Sequence, residues 1–287
     1  MIRIVLLLAG LLAGLSAPAD ARAPSARTAL LSSPAPDIAT QQLVAAMTTR
    51  PSGDRIRMID YLMRALQGGG VWPYLDVYHV MAAHCDAGST TASQAGRLNW
   101  KNAAANSLTL SGTTTVTCDR GITGSADGVA STGYSPLAAS LGLAQNDAGA
   151  SVWALTNGSV TGIAAILADN SRIRVRARIN TSASVAISSN TTVALTTGGN
   201  VPHVIGVNRR GDPSNIIPFR NFTDEPSGAS VSAGLPSTVS YLGNATVGTF
   251  TDQQVAIAGV GRALPAELLA AKYFPEAMYL RWLGAIP

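Results

Sequence analysis

The densest concentration of chemical groups in the sequence is Arg172-Ile173-Arg174-Val175-Arg176-Ala177-Arg178-Ile179. In an extended strand, side chains alternate between faces. Arg172, Arg174, Arg176 and Arg178 would then share one face, and Ile173, Val175, Ala177 and Ile179 the other. Successive arginines would stand about 6.6–7 Å apart. Such a row repels itself, so an anionic or hydrogen-bonding layer should lie across it. Acidic residues of adjacent strands, another subunit, or an anionic ligand such as acidic polysaccharide would serve. The plainer alternative is a solvated outer face held by cross-strand polar partners. The chain has 20 basic but only 16 acidic residues, so four local carboxylates are hard to supply and the ligand reading stays open.

Catalytic constellations are harder to assemble. Glycoside hydrolysis needs two carboxyl groups flanking one bond. The three glutamates are Glu225, in the loop Asp224-Glu225-Pro226, and Glu267 and Glu276, near the C-terminus. No expected strand carries an acidic pair at i, i+2. The nucleophile elbow GxSxG is absent, as are the phosphate-cradling patterns GxxxxGK[ST] and GxGxxG. Of His79, His84 and His203, the first two stand five apart beside Cys85 and Asp86, a spacing that does not share a helix face. No metal site, no cofactor and no catalytic residue is expected, and the chain reads as a binding or structural protein rather than an enzyme.

The elements that would position these residues follow from composition and pattern. Only 13% of the residues are charged, while Gly, Ser, Thr, Ala and Asn abound. That suits a β-rich chain with many turns more than a helical bundle. The net charge of +4 is a small excess with no Lys/Arg block, so a nucleic-acid partner is not expected. Residues 1–21 have the form of a secretory signal: Arg3, the apolar run Ile4 to Leu15, and the small-x-small site Ala19-Asp20-Ala21. That run is short for a stable membrane span, which takes roughly 20 residues. Residues 22–36 read as a flexible linker. A helical hairpin is expected over 37–70, with Asp37 capping a helix Ile38 to Thr48 and a second helix from Asp54 to Gln67 stopped by Gly68-Gly69-Gly70. From Val71 onward, short apolar or alternating runs separated by turn residues announce an antiparallel sandwich over 71–287. A closing helix runs from Pro265 to Tyr273, broken at Pro275 and resuming to Leu283. Arg210-Gly211-Asp212-Pro213 is read as a turn rather than an adhesion tripeptide, and the Asn-x-Ser/Thr triplets as chance products of composition.

Cys85 and Cys118 are the only cysteines. An exported chain would join them, closing a loop of about 30 residues for roughly 3–4 kcal/mol. A chain in a reducing compartment would bury two free thiols, and the sequence leaves both open.

Two stretches carry a resemblance. Asp119-Arg120-Gly121 through Asp127-Gly128-Val129-Ala130-Ser131-Thr132-Gly133-Tyr134, followed by Ala150-Ser151-Val152-Trp153-Ala154, resembles the opening of a concanavalin-like or laminin-G-like jelly roll. Val255-Ala256-Ile257-Ala258 with Gly261-Arg262-Ala263-Leu264-Pro265-Ala266-Glu267-Leu268 resembles that fold's last strand and the helix after it. Gln94-Ala95-Gly96-Arg97-Leu98-Asn99-Trp100-Lys101-Asn102, together with Val71-Trp72-Pro73-Tyr74-Leu75-Asp76, is similar to a group of phage- and prophage-encoded proteins. The resemblance implies a two-sheet antiparallel jelly-roll sandwich with an N-terminal helical hairpin and a C-terminal helix. It also implies a tail- or head-fibre-like component of a virion, or a secreted or cell-surface protein, with other virion or surface proteins as partners and cell-surface glycan as ligand. An exported bacterial lectin-like protein is the alternative, and a polysaccharide-degrading enzyme a more remote one.

Overall fold

The computed structural model describes residues 35–287, except 90–92, 125–126, 139–141, 158–165, 169–172, 180–181, 196–200, 245–248 and 251. The expected signal and all but the last two residues of the expected linker therefore lie outside the described residues. The described chain is mainly β, with antiparallel pairing throughout and three α-helices. Helix α1 (Ile38–Ala45) begins where Asp37 accepts from the Thr40 N–H, and α2 (Gly53–Gly68) where Ser52 accepts from the Arg55 N–H. Both caps satisfy amide donors that a helix start otherwise leaves bare.

The larger sheet has nine strands: β1 (Leu75–Val80), β3 (Thr115–Thr117), β4 (Gly121–Thr123), β6 (Asp147–Ala154), β11 (His203–Arg210), β12 (Asn215–Arg220), β13 (Thr223–Asp224), β14 (Gly228–Ala229) and β18 (Val255–Gly261). Its spine runs β13-β12-β11-β6-β18-β4-β3, with β1 added on β18 and β14 on β12. The smaller sheet has seven strands: β2 (Thr109–Ser111), β5 (Val129–Ser131), β7 (Ile166–Ala168), β8 (Ile173–Ile179), β9 (Ser182–Ile187), β10 (Val193–Ala194) and β15 (Val239–Tyr241). Its order is β10-β9-β8-β7-β15-β5-β2, and β16 (Gly243–Asn244) and β17 (Thr249–Phe250) form a separate ribbon.

Period-two alternation explains how the layers stack. On β6, Val152 and Ala154 face the smaller sheet, in a core shared with Ile205 and Val207 of β11 and Ile173, Val175, Val185 and Tyr241 opposite. Trp153 and Leu155 turn the other way, into a second core with Val204, Phe219 and Ile257. The helices fill that second core: Leu43 and Val44 from α1, Ile59, Leu62, Met63 and Leu66 from α2, and Leu269, Tyr279 and Leu280 from α3 (Ala266–Trp282). The larger sheet is thus covered on both faces, and the hairpin at 37–70 shares its core. Arg209, fully buried, ties the two sheets together. It donates to the carbonyls of Ile187 (3.1 Å), Asp212 (2.8 Å), Asn215 (3.2 Å) and Ser230 (2.6 Å).

The structure corrects two expectations. The closing helix is not broken at Pro275 but runs unbroken from Ala266 to Trp282 with Pro275 inside it. A proline there removes one N–H donor. Burial of Leu269 before it and of Ala277, Tyr279 and Leu280 after it, all in one core, holds the two halves in line. The first strand, Leu75–Val80, escapes pattern reading because all six residues are buried and show no alternation. The first helix ends earlier than expected, at Ala45 rather than Thr48.

Candidate functional site

Because the helices cover the larger sheet, the outer face of the smaller sheet is the sheet surface that no described helix covers. Strand pairing builds that face row by row. Leu110, Ala130, Tyr241, Ile166, Val175 and Val185 are in register and face the core. The neighbouring row therefore faces outward: Thr109, Ser131 and Ser240, continuing in register through β7 to Arg174 and Ala186. One step along, Arg176 pairs with Ser184, which pairs with Ala194. Ser240 and Ala186 are buried, so the accessible part of the face centres on Arg174, Arg176 and Ser184.

The alternation expected of the arginine strand holds over its described part. Ile173 and Val175 are fully buried in the core, and Arg174 and Arg176 are half-buried on the opposite side. Arg172 lies outside the described residues, and of the Arg178 side chain nothing is described. The β8–β9 register shifts between Arg176 and Ile179. Burial lowers the Arg174 pKa from its ordinary value, and the neighbouring Arg176 charge lowers it further. Nε of Arg176 is buried without a hydrogen-bond partner among the described residues. Two like charges held together on a partly desolvated strand form a site where an anion is favoured, and guanidinium forks match carboxylate and sulfate geometry.

Other residues singled out by sequence are absorbed by structure. His79 is fully buried between the Tyr241 hydroxyl (3.0 Å) and the Asn106 carbonyl (2.8 Å), while His84 meets the Thr49 carbonyl (2.8 Å). Among the described residues no group of His, Cys, Asp and Glu could hold a metal ion. In the Arg210-Gly211-Asp212 turn, Arg210 pairs with Asp224 at 2.6 Å, Gly211 takes φ +80°, and Asp212 accepts from Ser214 N–H and Asn215 N–H. Cys85 and Cys118 are joined, with Cα atoms 5.1 Å apart.

Most of the described carboxylates are likewise occupied. Asp76 accepts from the Tyr134 hydroxyl and the amides of Gly142 and Leu143. Asp147 pairs with Arg262 (2.8 Å), Glu225 with Arg220 (3.3 Å), Asp119 with Arg55 (2.8 Å) and Asp60 with Arg64 (2.7 Å). A groove of about 440 Å³ beside the helical hairpin contains Asp86, Arg97 and Gln94, and both Asp86 oxygens already accept from the Gln94 amide. A second groove of about 360 Å³ contains Trp72, Trp100 and Lys101, with the Lys101 ammonium 4.8 Å from the Trp72 ring centroid. Sequence reading missed both grooves, since each is lined by residues some 30 or more positions apart in the chain.

No family model matches the chain, and no curated protein matches it. Among solved structures, a mutant of Trypanosoma rangeli sialidase displaying trans-sialidase activity is similar, with TM-score 0.50 and 9% identity over 79% of this chain and 40% of that one. Domain 4 of an extracellular arabinanase from Geobacillus stearothermophilus, in complex with arabinotriose, aligns with TM-score 0.44 and 12% identity over 69% of this chain and 98% of that one. The CBM40 of the Ruminococcus gnavus IT-sialidase, bound to α2,3-sialyllactose, aligns with TM-score 0.33 and 13% identity over 45% of this chain and 83% of that one. The chain spans about 40% of the sialidase's length, and the likeness to that protein is one of β architecture alone.

Proposed function

We propose that this chain is a non-catalytic binding module, a two-sheet jelly roll of the concanavalin-like or laminin-G-like kind, that holds anionic glycan on the outer face of its smaller sheet. The observation that carries the reading is the Arg174–Arg176 pair, two half-buried guanidinium groups side by side on a sheet face that no described helix covers. Each presents a planar fork for a carboxylate or sulfate. The hydroxyls of Ser184, Ser131 and Thr109 on the same face suit sugar hydroxyls. A non-catalytic role is supported by the carboxylates. Hydrolysis needs two of them facing one bond, whereas Asp76, Asp147, Asp224, Glu225 and Glu276 are each held by a cation or by several donors. The setting we infer, a phage or prophage particle with other virion proteins as partners, rests on the sequence resemblance. The signal-like segment 1–21 favours the second reading, an exported lectin-like protein.

The test is binding of the full chain to neutral and acidic polysaccharides. Acidic polymers should be preferred, and the binding should weaken steeply as salt rises, because screening shortens to about 8 Å at physiological ionic strength. Arg174→Ser with Arg176→Ser should weaken it at least about tenfold, while outward positions leave the core and the denaturation midpoint in place. Normal binding by the double variant, or no preference for acidic polymers, would overturn the proposal. Capsid, portal and tail genes beside this one would favour the particle, and an isolated secreted locus the lectin.

A further inference from the structure

Helix α3 leaves an apolar stripe uncovered. Its inward side, with Leu269, Lys272, Glu276, Tyr279 and Leu280, is buried. Its outward side at helical spacing consists of Glu267, Ala270, Phe274, Met278 and Arg281, so the outer face is charged only at its two ends. A surface helix ordinarily turns a polar face to water. Here Phe274 is 56% exposed, and it stacks at 5.3 Å on Phe222, itself 46% exposed. Phe222 stands at the tip of the β12–β13 hairpin, carried there by Asn221 in the left-handed region at φ 54°. Two of the chain's four phenylalanines thus sit side by side in solvent, and Tyr273 packs against both.

We infer that this face is the contact of a symmetric dimer, in which α3 of a second copy lies antiparallel across α3 with Phe274 at the two-fold axis. The stripe is self-complementary about that residue. Glu267 lies seven positions before Phe274 and Arg281 seven after it (274 − 267 = 281 − 274), about two helical turns or 10.5 Å on each side. Ala270 and Met278 lie four positions to either side. An antiparallel pair sets Glu267 of one copy against Arg281 of the other, twice, and a small Ala270 against a large Met278, twice. That is the pattern a two-fold interface requires, in which residue i meets j and j meets i. The Arg281 Nε donates to the Pro287 carbonyl at 2.9 Å, which engages one of the five N–H donors of a guanidinium. Glu267 belongs to none of the ion pairs among the described residues. Phe222 of each copy would flank the axis and extend the apolar centre beyond the helix.

Sedimentation velocity of the full chain from about 1 to 100 µM tests this, a range that spans ordinary homodimer affinities. The expected result is a monomer–dimer equilibrium that Phe274→Glu abolishes, because two carboxylates then meet at the axis. Glu267→Arg and Arg281→Glu should each weaken the dimer about tenfold or more by opposing like charges at both ends. The double swap E267R/R281E should restore it to within about threefold of the original. All three positions are exposed, and an unchanged circular dichroism spectrum certifies each variant. A monomer at every concentration, a dimer indifferent to Phe274→Glu, or a charge swap that fails to rescue would overturn the inference. So would a monomeric chain that uses Phe222 and Phe274 to hold glycan or an unrelated protein.

Discussion

Glu276 lies on the buried side of α3 with none of its side chain exposed, and its two oxygens are the meeting point of three donors. The Tyr78 hydroxyl donates at 2.8 Å, Trp153 Nε1 at 2.8 Å, and Lys272 Nζ at 2.8 and 2.9 Å. Lys272 is itself 4% exposed, so its ammonium has almost no water to fall back on. Burial, and then the Glu276 charge, push the Tyr78 hydroxyl well above its ordinary pKa. Replacing Glu276 by Gln keeps shape and one acceptor but strands the ammonium. Breaking a buried pair in this way costs roughly 3–5 kcal/mol, and a domain of this size loses about 2–4 °C of melting temperature per kcal/mol. A fall of about 6–20 °C is therefore expected. Lys272→Met alone leaves the carboxylate two neutral donors and should cost less. The double variant should be more stable than Glu276→Gln alone, with a coupling of about 2 kcal/mol or more. Urea denaturation at pH 7, followed by tryptophan fluorescence, reads all three. If Glu276→Gln falls within about 1 kcal/mol of the parent, the ammonium has another source of stabilisation and the reasoning fails.

Acid should act through His79, whose pKa burial pulls down to about 4 against the opposing effect of the Asn106 carbonyl. Between about pH 6.5 and 4 the unfolded chain then binds a proton that the folded chain refuses. Stability present above pH 6.5 is lost as pH falls, by about 3 kcal/mol in all. His79→Gln should flatten that part of the pH profile, and equal urea midpoints for both proteins at pH 7 and 4.5, after allowing for the substitution itself, would refute it. Mass spectrometry of folded, unreduced protein should show Cys85 linked to Cys118, and replacing both with Ser should cost about 3–4 kcal/mol for a loop of this length; two alkylatable thiols would rule the bridge out. Gly206→Ala would place a Cβ 2.2 Å from Cζ of Phe219 and 2.6 Å from the Ala150 carbonyl. Overpacking of that kind costs roughly 1–3 kcal/mol, and a change below about 0.5 kcal/mol would mean that the Phe219 ring has room to swing aside.

What the sequence by itself determined is what neighbours along the chain decide. Asp37 marks a helix start because a cap acts over three residues. Ile173-Arg174-Val175-Arg176 declares its two faces because a strand alternates with period two. The turn at Arg210 to Pro213 follows from a glycine at positive φ. Leu75–Val80 was illegible for the opposite reason: a strand covered on both sides shows no alternation. Pro275 looked like a stop because its missing donor is a local fact, whereas the shared core that carries the helix across it is not. Tertiary structure alone decided that Glu276 would meet Tyr78, 198 positions away, and Trp153, 123 positions away. It decided in the same way that the three described helices would pack on the larger sheet and none of them on the arginine-bearing face of the smaller one. Those outcomes depend on which apolar surfaces find each other on folding, and residues brought together across such distances leave no periodic signal in the chain.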